Sequence, residues 1–141
     1  MAKRYNEIYL ASHHEERGIN VISIRFFNVY GWNQDNRMVV PRFFEQCEEG
    51  EDITVFGSGE QTRDFTYIED TIEACCKLIG IKGSHIVNIA NESEWCISEL
   101  ASEIKSITNA TSKITYLDAP KKRYDYEVCL LYTSPSPRDG L

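Results

Sequence analysis

Three segments with apolar residues at helical spacing alternate along this chain with short β-branched runs, and that alternation most narrows what it can fold into. Val40, Phe43, Phe44 and Cys47 recur at i, i+3, i+4 and i+7, the spacing of a helix's buried stripe. Ile72, Cys75, Cys76 and Ile79 repeat it, and Ile97, Leu100, Ala101, Ile104 and Ile107 mark a third stripe. Between and around them stand Val21–Phe26, Ile53–Phe56, Asp64–Ile68, Ile86–Ala90 and Ile114–Leu117. Short, β-branched and bounded by turn residues, these read as strands. Val21–Phe26 (VISIRF) is mostly apolar, which suits a strand covered on both faces. The order predicts an α/β domain built around a largely parallel sheet.

The punctuation agrees. A polar, helix-favouring segment from about Ala2 to Arg17 carries Tyr5, Ile8 and Tyr9 on one face and meets a C-terminal stop at Gly18. Asn28–Asn36, rich in Gly and Asn, reads as a loop. Pro41 sits where a helix can begin, since its missing N–H costs nothing in the first turn. That helix is expected to run to about Glu49 and end at Gly50, and a later one to span Asp70–Ile79. Gly57-Ser58-Gly59 is expected to form a tight turn between two strands. Cys129–Leu141 (CLLYTSPSPRDGL) breaks every periodicity. It is expected to be a disordered, non-native tail, with a natural Ser/Pro linker as the alternative.

Composition excludes several classes of function. A net charge of −7 argues against broad nucleic-acid binding, which requires a basic face. It leaves room for a phosphate ligand, because charges are screened over about 8 Å at physiological salt and a local arginine outweighs the global sum. No run approaches the roughly 18 apolar residues of a membrane span, and the start shows no apolar signal-peptide run, so a cytoplasmic location is expected. The five cysteines, at 47, 75, 76, 96 and 129, form no C-x-x-C pair and sit mainly on helical stripes, as small hydrophobes would. No metal is expected, since the histidines lack partners at ligand spacing.

Two segments carry more chemistry than a generic α/β chain needs. Arg25-Phe26-Phe27-Asn28-Val29-Tyr30-Gly31 runs from a strand into a polar loop. In open α/β sheets ligands sit outside the carboxyl ends of strands, where the Asn28 side-chain amide could donate to a diphosphate and accept from a hydroxyl. In Val55–Asp70 the glycines suggest a dinucleotide fingerprint, but the sixth position is Thr62 and a strand follows where a helix should. Arg63 offers a planar fork matched to phosphate oxygens, with Asp64 directed to the opposite face of its strand.

Lys3, the segment RFFNVYG, the helix start MVVPRFFEQ, the turn VFGSGEQTRDFTYIEDT and the later IVNIAN together resemble the extended short-chain dehydrogenase/reductase family. Within it they are most similar to UDP-glucose 4-epimerases, UDP-glucuronate decarboxylases and dTDP-glucose 4,6-dehydratases. The resemblance covers Met1 to Val128. It implies the carboxy-terminal part of an NAD(P)-binding, Rossmann-like fold, including the smaller substrate-binding subdomain.

The resemblance also implies roles. Lys3 would hold the NAD ribose and lower the pKa of a tyrosine four residues before it, a position two residues upstream of Met1. Tyr5 cannot substitute, since two residues along a helix is nearly the opposite face. Phe27 would lie against the nicotinamide, and Asn28 and Arg63 would bind the diphosphate of a UDP- or dTDP-sugar. Met38 and Val39 would line the nucleotide-sugar site, and Thr54, Val55 and Phe56 would contact the base. Arg123 is a weaker counterpart of the family's later arginine, because its distance to Asp125 is two residues rather than three. The implied parent is a homodimeric enzyme working through a 4-keto sugar, and the chain alone is expected to be inactive. Two alternatives stand beside it: a non-catalytic nucleotide-sensing relative, and a truncated reading frame without function.

Overall fold

A computed structural model describes residues 2–118; Arg123 and Cys129–Leu141 lie outside the described residues. In order, the elements are α1 (Ala2–Arg17), β1 (Val21–Phe26), β2 (Val29–Tyr30), α2 (Val39–Glu48), β3 (Ile53–Phe56) and β4 (Thr62–Asp64). They continue with β5 (Thr66–Tyr67), α3 (Ile68–Leu78), β6 (Ser84–Ile89), β7 (Glu94–Cys96), α4 (Ile97–Ile107) and β8 (Ile114–Leu117).

The class is α/β as expected, but the strands do not join into one sheet. They form four pairs: β1 with β6, β2 with β5 and β3 with β8 run parallel, while β4 with β7 runs antiparallel. Parallel pairing follows from helical crossovers between partners. Only β7, reached from β6 by a short turn through Asn91 and Glu92, returns against its neighbour.

The core lies between α2, β3 and α4. Phe43 and Cys47 from α2, Ile53 and Val55 from β3, Phe65, and Ile97, Ala101 and Ile104 from α4 form one buried cluster. The stripes read from the sequence are therefore the packing faces of α2 and α4. Both helices end in the same way, with the chain turning into the left-handed region. At α2, Gly50 (φ +70°) lets the Gly50 and Glu51 N–H groups donate back to the Cys47 and Gln46 carbonyls. At α4, Asn109 (φ +52°) takes the place of glycine. Pro41 is the third residue of α2, where an N–H would have had no intrahelical partner.

Several expectations need correction. The α3 stripe is not buried: Thr71 is, while Ile72 and Ile79 are exposed and Cys76 faces outward. The 3.6-residue period fixes only a common face, and nothing among the described residues covers this one. Val21–Phe26 is a strand, but Phe26 is 55% exposed and Ile86 on its partner is 57% exposed, so the β1–β6 pair is not covered on both faces. The Asn28–Asn36 stretch contains the short strand β2. The Asp64–Ile68 stretch breaks at Phe65 because the chain leaves one partner, β7, for another, β2, and Ile68 already begins α3. The strands flanking Gly57–Gly59 do not pair with each other, although the turn is tight, with φ +75° at both glycines.

Gly31 holds the link after β2 against α3. Its φ is +154°, and a Cβ there would lie 2.9 Å from Ile68 Cβ and closer still to Ile68 Cγ2. Gly31→Ala is expected to destabilise the protein by about 1–3 kcal/mol, as overpacking does. The urea midpoint should fall at unchanged slope; an unmoved midpoint would show that α3 yields freely at this point.

Candidate functional site

Because β1 and β6 are parallel and in register from Val21↔Ser84 to Phe26↔Ile89, their carboxyl ends fall side by side. That places Asn28 beside Asn91, and Asp64 ties the two together. Asn28 Nδ2 donates to the Asp64 carbonyl (2.9 Å), and the Asn91 N–H donates to Asp64 Oδ1 (3.0 Å). Thr66 Oγ1 donates to the same carboxylate oxygen (3.1 Å), and the Thr66 N–H to the Asn28 carbonyl (3.3 Å). Asp64 is fully buried. A buried carboxylate holds its place through such bonds, so the break between β4 and β5 is a fixed corner. On the neighbouring residue, half-buried Arg63 donates from Nη1 to the Thr62 carbonyl (2.7 Å). The expected alternation of Arg63 and Asp64 across β4 is thus present, and Asn28 reaches the main chain of Asp64 from the end of β1.

Lys3 is placed by a different contact. Arg25 in β1 grips Glu7 in α1 with two donated bonds, Nε to Oε1 (2.8 Å) and Nη2 to Oε2 (2.7 Å). The guanidinium holds the Glu7 carboxyl below the usual carboxylate range. Glu7 is four residues after Lys3, hence on the same helix face. A short turn through Gly18 sends β1 back along α1. One helical turn back from Glu7 is about 6 Å, and two residues on from Arg25 is about 6.6 Å of strand. Lys3 therefore lies on the face of α1 that β1 grips, one turn nearer the start of the helix than Glu7. Its ammonium is exposed and has no ion-pair partner among the described residues. The donor set fits the sugar of a dinucleotide placed beside half-buried Phe27, so the two residues suit the nicotinamide end of NAD. The Glu7–Arg25 pair escaped the sequence reading; its signal was a carboxylate one turn after Lys3 with an arginine on the next strand.

A second group gathers where α2 crosses β3. Met38 is the exposed N-terminal flanking residue of α2, and Val39 is its first residue. Thr54 and Phe56 share one face of β3, while Val55 points into the core with no exposure. Only the main chain of Val55 can therefore meet a ligand. Gln46 brackets Thr54, donating from Nε2 to Oγ1 (2.9 Å) and accepting the Thr54 N–H (3.1 Å). Two open hollows along the outer side of α4, lined among others by Trp95, Glu99, Ser102 and Lys105, hold none of the expected residues. Arg123 lies outside the described residues. No group of three or more metal-ligating side chains occurs among the described residues, and none of their helices is long and apolar enough to cross a membrane.

Comparison with known proteins shows the family and the fold. Residues 1–90 match the model of the NAD dependent epimerase/dehydratase family. The UDP-N-acetyl-alpha-D-glucosaminuronate decarboxylase of Bacillus cytotoxicus is 37% identical over 109 residues, covering 74% of this chain and 34% of that protein. The crystal structure of UDP-glucose 4-epimerase with UDP-glucose from Thermotoga maritima superposes with a TM-score of 0.80 at 30% identity, covering 85% of this chain and 40% of the other. That of UDP-glucuronic acid 4-epimerase from Bacillus cereus with UDP-glucuronic acid and NAD gives a TM-score of 0.71 at 29% identity, covering 80% and 37%. The chain belongs to the NAD dependent epimerase/dehydratase family, with the α/β, Rossmann-like fold of its extended short-chain dehydrogenase/reductase members. It spans about a third of the length of the curated relatives it matches.

Proposed function

We propose that this chain is the nucleotide-sugar-binding, carboxy-terminal portion of an NAD-dependent enzyme that acts on UDP-sugars through a 4-keto intermediate, of the 4-epimerase or UDP-glucuronate decarboxylase type. The observation that supports the reading is that Asn28, just past the end of β1, bonds the main chain of Asp64, the residue after Arg63, while β1 grips through Arg25 and Glu7 the face of α1 that carries Lys3. A ribose-holding cation and two diphosphate-binding groups then lie at one end of the β1–β6 pair, where an open α/β sheet binds its ligands.

NAD, when bound, would supply the acceptor for hydride from the sugar C4 and the donor for its return. The chain's own residues do the rest of what is assigned to them. Lys3 donates hydrogen bonds to the ribose, and its charge favours the ionised form of a tyrosine on the same helix face, which takes the proton of the sugar 4-hydroxyl. Phe27 packs against the nicotinamide end. Asn28 and Arg63 donate to the diphosphate, joined by Arg123. Met38 and Val39 line the sugar nucleotide, and the Thr54–Phe56 edge meets the base. The tyrosine expected four residues before Lys3 has no counterpart within these 141 residues, and on this reading the chain alone is inactive. Residues 1–128 form the functional portion and 129–141 a non-native tail. The parent works in the cytoplasm as a homodimer paired through helices that include α1, whose Tyr5, Ile8 and Tyr9 are exposed.

The test is hydride transfer in the full-length protein. UDP-glucose or UDP-glucuronate should be converted with the C4 hydrogen passing through NAD, and sugar nucleotides returned unchanged would overturn the reading.

A further inference from the structure

Arg42 has no part in the roles above, yet it is the most constrained cation at the α2–β3 crossing. Its guanidinium carbon lies 5.1 Å from the centre of the Phe56 ring and 5.6 Å from that of Phe43. Nη2 donates to the Thr54 carbonyl (3.3 Å), while Nε is buried without an acceptor among the described residues. Burial pulls the Arg42 guanidinium below its ordinary pKa. A buried N–H left unpaired is costly, and a native structure that keeps one calls for a reason. Phe56 itself is partly exposed, and its carbonyl is occupied by Gln61 Nε2 (3.0 Å). With Gln46 on the Thr54 N–H and hydroxyl, and Arg42 on its carbonyl, α2 occupies every polar group of Thr54. Beside the main chain of Val55 and Phe56, the surface offered to a ligand at this place is the Phe56 ring, with a cation against it.

We propose that Arg42 is a positioning residue for the nucleobase end of the site: its guanidinium, seated on Phe56 and tied to Thr54, fixes that ring as the surface on which a pyrimidine base stacks. This rests on the reading of Thr54–Phe56 as the base-contacting edge. A guanidinium over an aromatic face is attracted by the ring quadrupole, more so when desolvated, and base–aromatic stacking depends on a ring held in place. Lysine at this position would keep the charge but lose the planar fork.

The experiment is calorimetric titration of the full-length protein with UDP and, separately, with inorganic pyrophosphate, for the parent and for Arg42→Met, Arg42→Lys and Phe56→Ala. Phe56→Ala should weaken UDP by at least about tenfold, the scale of a lost base stack. Arg42→Met should weaken UDP about five- to tenfold, between the scales of an exposed and a desolvated cation–π contact, and leave pyrophosphate unchanged. Arg42→Lys should recover part of the loss. In turnover, Arg42→Met should raise KM for the UDP-sugar at unchanged kcat. Parental UDP affinity in both Arg42 variants, with Phe56→Ala weakened, would overturn the role of Arg42 and leave the base site standing. Unchanged affinity in Phe56→Ala would remove the base site, and equal losses for UDP and pyrophosphate in Arg42→Met would reduce Arg42 to general support of the fold.

Discussion

The purified 141-residue chain, supplied with NAD and either UDP-glucose or UDP-glucuronate, is expected to show no turnover. A positioned acid or base contributes roughly 10²–10⁴-fold to such a reaction, and here it is assigned to a tyrosine upstream of Met1. Lys3 is not proposed to replace it: the role given to Lys3, one turn before the Glu7–Arg25 clamp, is to bind a ribose and to tune a neighbour. Phe27 offers only an apolar face, and the roles proposed for Asn28 and Arg63 are to bind the diphosphate, not to move a proton. Substrate-side binding without the proton-transferring group leaves ground-state affinity and no chemistry. The assay is product formation by chromatography, with the full-length protein as the positive control. Measurable conversion by the chain alone would show that its acid–base group lies within these residues and that the role given to the upstream tyrosine is mistaken.

Arg63→Ala in the full-length protein is expected to weaken nucleotide-sugar binding by about 1.5–3 kcal/mol, the range for a hydrogen bond to a charged partner. That is roughly a ten- to 150-fold rise in Kd. At the corner that carries Arg63, Asp64 is itself held by Thr66, Asn91 and, through its carbonyl, Asn28. Register with Trp95 across the β4–β7 pair holds the strand itself. The loss should therefore appear in calorimetric affinity while the melting temperature stays near that of the parent. Unchanged affinity would remove Arg63 from the site, and a large drop in melting temperature would assign it to the fold instead.

The parts of this fold legible in the sequence were those set by local periodicity and punctuation. The stripe Val40–Phe43–Phe44–Cys47 and the stripe from Ile97 to Ile104 are the two helix faces that close on Ile53 and Val55, and Gly18 and Gly50 sit at helix ends with positive φ. Strand partnership was not legible, because it is decided between residues far apart in the chain. The break at Phe65 depends on Asp64 meeting Asn91, and the short β7 exists because Thr62–Asp64 offers it an edge. The exposed face of α3 carries the same spacing as the buried face of α2, so period alone could not separate them.

The candidate site divides along the same line. Lys3, Phe27, Asn28 and Arg63 are reached through motifs; in the structure Phe27 and Asn28 follow β1, Arg63 stands next to Asp64, and Lys3 lies in the first turn of α1. Val55 was expected to touch the base, and its buried side chain restricts that to the main chain. Glu7 and Arg42 were missed because each acts across elements, Glu7 on a strand and Arg42 on a ring in β3. No spacing in the sequence announces either contact.

The account rests on hydride leaving the sugar C4 with Lys3 beside the cofactor. The most direct measurement follows the near-ultraviolet absorbance of NADH in the full-length protein after rapid mixing with UDP-glucose or UDP-glucuronate, protiated or deuterated at C4. NADH should form on mixing, form more slowly from the deuterated sugar, and form at least about a hundredfold more slowly in Lys3→Met, the lower end of what a positioned acid–base group contributes. Product arising without NADH and without an isotope effect, or at the parental rate in Lys3→Met, would contradict it.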